Sequence, residues 1–218
     1  MGETGGMAGS DGRRWLITDL LPIHDRTGFR CGSESLDRFL SQFARQNERS
    51  GLSRTVVACP AGTRTVVGFY SLAAGSVSID SLPERDRRRL PRHPVPTALI
   101  GRLAVDRRHQ RQGLGDLLVA DALRRIESVS RAMGIHAAEV EAIDAAARTF
   151  YRRFGFMELL DDPNHLYLPI ATVRRSLTDA TPGLKGAIAR ARRWIKDGPP
   201  TDTGEIRAIM KDAKRGRP

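Results

Sequence analysis

The chain has 218 residues, of which 40% are hydrophobic, 28% charged and 6% aromatic. This composition supports a soluble globular core and excludes a collagen-like or wholly disordered chain. No run approaches 18 apolar residues, so no membrane span is expected, and two cysteines, Cys31 and Cys59, are too few for a disulfide framework and lack metal-ligand spacing. Lys and Arg number 36 against 25 Asp and Glu, a net +11 that calls for a polyanionic partner, either nucleic acid or a phosphorylated cofactor. The surplus is uneven: up to Ala171 the net charge is +4, while the last 47 residues carry +7 and all four lysines. Three segments are expected from this shift: a flexible leader over 1–14, one domain over 15–171 and a basic helical extension over 172–218. The Gly-rich leader lacks the apolar run of a secretory signal, which points to the cytoplasm.

The elements follow in chain order. Ser33 is placed to cap a helix whose apolar positions, Leu36, Phe39, Leu40 and Phe43, keep a 3.6-residue spacing. Arg54 to Cys59 and Thr65 to Ala73 read as a hairpin across Pro60-Ala61-Gly62-Thr63, with Gly75 to Ile79 extending or following the second strand. Between Ser81 and Pro96, four prolines exclude a long helix or a central strand. That stretch reads as an exposed basic loop carrying Arg85, Arg87, Arg88, Arg89 and Arg92. Thr97 to Val105 reads as a buried strand. A helix over Leu114 to Met133 follows, with Leu118, Ala122, Ile126, Val129 and Met133 on one face and Gly134 closing it. Ala137 to Ile143 is a second strand, Ala145 to Arg153 a short helix, and Leu166 to Ile170 a last strand. Strand, helix, strand, helix, strand around one core is an α/β arrangement.

Chemistry concentrates between the Thr97–Val105 strand and the helix behind it. Gly113 and Gly115 leave the backbone amides open to a ligand, and the helix start adds unsatisfied N–H groups and the positive end of its dipole. Such a turn binds pyrophosphate. It lacks the Gly-Lys-Ser/Thr of the P-loop, and the third glycine and distant acid of the dinucleotide fingerprint. Tyr151, in Phe150-Tyr151-Arg152-Arg153, supplies a phenol that is protonated at neutral pH. Glu139, Glu141, His136 and Asp144 stand near it in sequence, none in a motif specific to a base. The five histidines show no metal spacing, and no metal is expected.

Arg102-Leu103-Ala104-Val105-Asp106, followed by Gln110-Arg111-Gln112-Gly113-Leu114-Gly115, resembles the acetyl-CoA motif of the GNAT superfamily of N-acetyltransferases. Phe150-Tyr151 and Gly155-Phe156 resemble that superfamily's closing motif, in the right order and about 35 residues on. Phe29 to Leu40, Gly68 to Val77 and Pro94 to Asp106 are similar to the acetyltransferase toxins of type II toxin–antitoxin modules. The resemblance spans Leu16 to Ile170 and leaves out the basic tail.

The resemblance implies a mixed central sheet, splayed and flanked by helices. In that fold the backbone of Leu103, Ala104 and Val105 would pair with the pantetheine arm of acetyl-CoA, and the Val105 N–H would polarise the thioester carbonyl. Arg111, Gln112, Gly113, Leu114 and Gly115 would hold the pyrophosphate with Asp116 just inside the helix, and Tyr151 would be the acid for the departing thiolate. The implied reaction is acetylation of the α-amino group of aminoacyl-tRNA, which stops translation. The arginine loop and Arg152 would contact RNA phosphates. A ribbon-helix-helix antitoxin and a homodimer are the implied partners. An α-amine, with pKa near 8 and lower beside an ester, needs no strong base, which fits the absence of one. Two alternatives stay open: acetylation of a small-molecule or protein amine without a toxin role, and a non-enzymatic regulatory module that keeps the fold. In the tail, Leu184 to Lys196 reads as a basic amphipathic helix, Glu205 to Ala213 as a second short one, and Arg215 to Pro218 resembles an AT-hook core.

Overall fold

The computed structural model describes residues 15–88 and 90–178; Arg89, the 1–14 leader, and the tail helices and AT-hook-like end lie outside the described residues. Seven strands form one sheet in the order β1-β2-β3-β4-β5-β7-β6. They are β1 (Trp15–Asp19), β2 (Arg54–Pro60), β3 (Gly68–Val77), β4 (Val95–Val105), β5 (Ala137–Glu141), β6 (Met157–Glu158) and β7 (His165–Pro169). Every pairing is antiparallel except β4 with β5, whose parallel pairing requires a crossover, and α4 (Leu114–Val129) is that crossover. The fold is thus the mixed, helix-flanked sheet expected.

α4 packs on one face of the sheet through Leu114, Leu118, Ala122 and Ile126, all buried. Gly68 lies beneath it; a Cβ there would come within 3.1 Å of the side-chain ends of Leu114 and Leu118, which would have to give by a few tenths of an ångström. Tyr70 of β3 donates to the buried Asp121 of α4, and Arg125 bridges Asp121 and Asp19, pinning the helix across the sheet. The same face takes α6 (Ile170–Thr178), whose Ile170 and Val173 join the main core. The division expected at Ala171 therefore cuts through a packed helix. The opposite face carries α1 (Glu34–Arg38), a π-helical turn (Phe39–Phe43) and α2 (Ala44–Arg49) on one flank. On the other flank lies the proline-rich connection with its single turn α3 (Glu84–Arg87). Between the two flanks the sheet face is only partly covered, with Ala73, Gly75 and Leu99 half-buried.

Several sequence expectations are corrected by packing. Phe43 is 44% exposed rather than on the buried face, because the π turn advances the helix phase between Phe39 and Phe43. Ser33 sits at the cap position without a side-chain cap bond. The second hairpin strand is Gly68–Val77 rather than 65–73. α4 stops at Val129, where the Ser130 hydroxyl donates to the Glu127 carbonyl, so Val129 and Met133 are exposed and Gly134 does not close the helix. Pro96 lies inside β4, at an end that β5 reaches only from Thr97 onward. β1 has no counterpart among the elements expected from the sequence.

Candidate active site

β4 changes partners along its length. Thr97 to Ile100 pair with β3 on one side and with Ala137 to Val140 of β5 on the other. At Gly101 the register against β3 slips by one residue, from Leu72↔Ile100 to Ser71↔Arg102, and pairing with β5 ends. The Asp106 N–H donates to the Val67 carbonyl, which makes Gly68↔Val105 a pair that exchanges no hydrogen bonds. By the two-residue alternation, the N–H and C=O of Leu103 and Val105 point away from β3, into the gap that β5 leaves. Gln110 donates to the carbonyls of Val105 (3.0 Å) and Cys31 (2.9 Å), tying the end of β4 to the chain before α1. Ala104, expected beside them, instead turns its backbone to β3 and buries its methyl under the π turn.

The turn after β4 is built on Asp106. This buried carboxylate caps a 3₁₀ turn by accepting the Arg108 N–H, and also accepts the Arg30 N–H and the Arg108 guanidinium. Burial pushes its pKa up, but the Arg108 side chain and the two backbone donors outweigh burial and hold it at about 2. Beyond it the chain takes two left-handed steps, at Arg111 (φ 58°) and Gly113 (φ 85°), and enters α4. The first N–H groups of α4 have no partner within the helix and open from this turn as an anion-binding end. The space where a Gly113 side chain would stand is open, as close approach of a ligand to the backbone requires. Leu114 contributes backbone only, since its side chain is in the core.

α5 (Ala145–Arg152) closes the other side. Asp144 caps it by accepting the Ala147 N–H at 2.7 Å, and Gly155 (φ 91°) turns the chain after it so that Phe154 and Phe156 enter the core. Tyr151 is held edge-on between Phe150 and Phe156, with ring centroids 5.3 and 5.6 Å away. Burial raises its pKa, so the phenol keeps its proton, and its hydroxyl has no partner among the described residues. A Cβ on Gly115 would lie 3.4 Å from Phe150 and 4.0 Å from Val105, which brings the helix start, the free half of β4 and α5 to one place. Asp116 is engaged elsewhere: it pairs with Arg153 at 3.1 Å, tying α4 to α5.

The sequence family of the acetyltransferase (GNAT) domain matches residues 54–158, which include β4, the turn after it, the start of α4 and Tyr151. A tRNA-acetylating toxin of Mycobacterium tuberculosis is 43% identical over 155 residues, covering 71% of this chain and 92% of the relative. The chain belongs to the GNAT acetyltransferases. Among solved structures, AtaT complexed with acetyl-methionyl-tRNAfMet superposes with a TM-score of 0.71 at 32% identity, covering 75% of this chain and 99% of that one. A mutant AtaT toxin bound to the C-terminus of the antitoxin AtaR and acetyl-CoA gives 0.65 at 31% identity, covering 76% and 99%.

On this GNAT scaffold, the arginine loop leaves from the end of β4 opposite Val105. It folds back over β7, where Asp86 accepts from Tyr167. Arg87 pairs with Asp80 (3.8 Å) and Arg88 with Glu84 (2.6 Å), while Arg85 rests against Asp86 and the Met157 sulfur. Arg92 is exposed. Arg152 pairs with Glu158 at 3.5 Å. These exposed pairs are weak and exchange readily with a phosphate. None of the loop's described arginines touches the donor groups around Val105.

Sequence reasoning missed a polar cluster on the partly covered sheet face. Glu139 of β5 is buried, accepts from Thr97, and lies 2.8 Å from His165 Nε2; His165 Nδ1 is 3.0 Å from Asp161. Burial lowers the His165 pKa, but its bonds to the two carboxylates outweigh burial and raise it. Glu139 is visible in the sequence as an acid at an inward strand position; its histidine partner comes from β7 and leaves no local signal.

Proposed function

We propose that this chain is an acetyl-CoA-dependent N-acetyltransferase that transfers acetyl to the α-amino group of aminoacyl-tRNA and thereby blocks translation. The observation that carries the reading is the half-paired β4: it offers outward backbone groups beside a helix N-terminus and an unpartnered phenol, in a chain 43% identical to a tRNA-acetylating toxin.

In this reading the N–H groups of Gln112 to Gly115 bind the pyrophosphate of acetyl-CoA, with Arg111 beside them. Leu103 and Val105 pair with the pantetheine arm, as an added strand would pair with an open sheet edge. The Val105 N–H donates to the thioester oxygen and strengthens as charge develops there. The amine nitrogen bonds to the carbonyl carbon, the carbon–sulfur bond breaks, and Tyr151 donates its proton to the departing sulfur. The proton shed by the new amide nitrogen returns through water to Tyr151. A good fraction of an α-amine beside an ester is neutral at pH 7, so no base of high pKa is needed.

The partly covered strip of the other face admits the acceptor, with the arginine loop as one bank for RNA phosphates. The cytoplasm is the compartment of such a substrate. No helix among the described residues is long and apolar enough to cross a membrane. A cognate antitoxin of the ribbon-helix-helix type is the expected inhibitor, and the protein is expected to act as a homodimer. Incubation with radiolabelled acetyl-CoA and charged or uncharged tRNA tests the reading: label should enter only charged tRNA and be released with the amino acid on mild base treatment. Label on free amines or protein, and none on charged tRNA, would overturn it.

A further inference from the structure

Arg102 follows the Gly101 bulge and faces the side of the sheet away from α4, the partly covered side assigned to the acceptor. Its guanidinium lies 4.0 Å over the Phe39 ring. That ring is itself fixed by stacking on Phe69 at 5.9 Å and is held in the π turn. Arg108, on the turn after β4, is committed to the buried Asp106. Arg102 is exposed and has no ion-pair or hydrogen-bond partner among the described residues. A planar cation laid on an aromatic ring keeps its edge donors free and pre-oriented, the arrangement suited to bidentate recognition of a phosphate.

The distances select which phosphate. Arg102 is three residues from Val105, about 10 Å along an extended strand. In an aminoacyl-tRNA, the path from the α-amine through the ester and ribose to the phosphate of the terminal nucleotide is about eight bonds, roughly 10 Å when extended. A chain with its amine at the carbonyl polarised by Val105 can thus lay that phosphate beside Arg102. The geometry points to Arg102 as the residue that binds the phosphodiester of the substrate's 3′-terminal nucleotide. This inference rests on the aminoacyl-tRNA reading and deepens it: the arginine loop supplies charge for the RNA body, whereas Arg102 registers the reacting end.

The test compares wild type with R102M, which keeps a long side chain over Phe39, and R102K, which keeps a charge without the fork. The substrates are aminoacyl-tRNA and an aminoacyl-nucleoside lacking the 5′-phosphate. R102M should lower kcat/KM on aminoacyl-tRNA by about 10–100-fold, mostly through KM, with R102K between the two. Acetyl-CoA affinity should stay unchanged, and on the phosphate-free nucleoside R102M should match wild type. An unchanged rate on aminoacyl-tRNA, or an equal loss on both substrates, overturns the assignment. If wild type acetylates no charged tRNA at all, the reading of the previous subsection fails and this assignment fails with it.

Discussion

The two halves of β4 share one strand and one neighbour, β3, yet have different fates. In Thr97 to Ile100 a partner stands on each side and the backbone is consumed by the sheet. In Leu103 to Val105 the β5 side is vacant, and the outward amides must find another partner. Ordinary folding rules would treat that second half as a defect, an edge inside a sheet. Here the edge is sheltered between α4 and α5, where only an extended ligand can reach it. The capacity to bind thus comes from a hydrogen-bond ladder left incomplete, and the Gly101 bulge marks where it stops.

Proline scanning separates the halves most strongly. Ala98→Pro removes an N–H from the doubly paired half and should prevent folding, read as loss of soluble protein with a cooperative melt. Val105→Pro removes an outward N–H that no neighbouring strand uses, so the fold should survive while kcat drops by about 10²–10³-fold, the loss typical of one oxyanion donor. If both variants fold equally well, or Val105→Pro retains full turnover, the distinction between the halves is wrong.

Tyr151→Phe tests the wall facing the vacant half. It removes one oxygen from a ring held by Phe150 and Phe156, so packing and acetyl-CoA affinity should persist. Single-turnover acetylation should fall by about 10²–10⁴-fold. An unchanged single-turnover rate would remove the phenol from the chemistry.

What the sequence reveals follows the same division. The glycine turn, the α4 start and Tyr151 are legible because each depends on neighbours within a few residues: left-handed backbone at Gly113, a helix N-terminus, an aromatic beside a closing Gly155-Phe156. Strand splaying is implied by the resemblance alone, since nothing local in Gly101-Arg102-Leu103 says that β5 departs there. The direction of the Ala104 backbone is hidden for the same reason; which of two adjacent residues faces the gap is set by pairing with β3, a segment distant in the chain. Arg102 over Phe39, and Glu139 with His165, also join distant segments and are invisible to spacing. α6 is hidden by its composition: Arg174 and Arg175 make it look like tail, while Val173 at its centre is fully buried.

The acceptor face should yield a smaller, salt-dependent effect. Replacing Arg87, Arg88, Arg89 and Arg92 together by Ser should weaken binding of charged tRNA while sparing acetyl-CoA affinity. It should also flatten the dependence of log K on log salt by up to about one unit for each phosphate no longer neutralised. An unaltered slope would make the loop a solvated surface and leave RNA recognition to the other bank.

The smallest effect concerns the polar cluster bordering the doubly paired half. His165 has a raised pKa because its bonds to Glu139 and Asp161 outweigh burial, so the folded state binds its proton more tightly than the unfolded chain does. The stabilisation is therefore fully present below the ordinary histidine value near 6.5 and is lost as pH rises through the raised, folded value. Melting temperatures of wild type and His165→Gln, measured in parallel from pH 5.5 to 9, should diverge at the acid end and converge at the alkaline end. The difference should not exceed about 2–4 °C, since solvent screens the outer Asp161 contact. A gap that stays constant with pH would mean that His165 contributes only as a neutral hydrogen-bonding group, and that Thr97 suffices to keep the buried Glu139 carboxylate in place where β4 and β5 still run side by side.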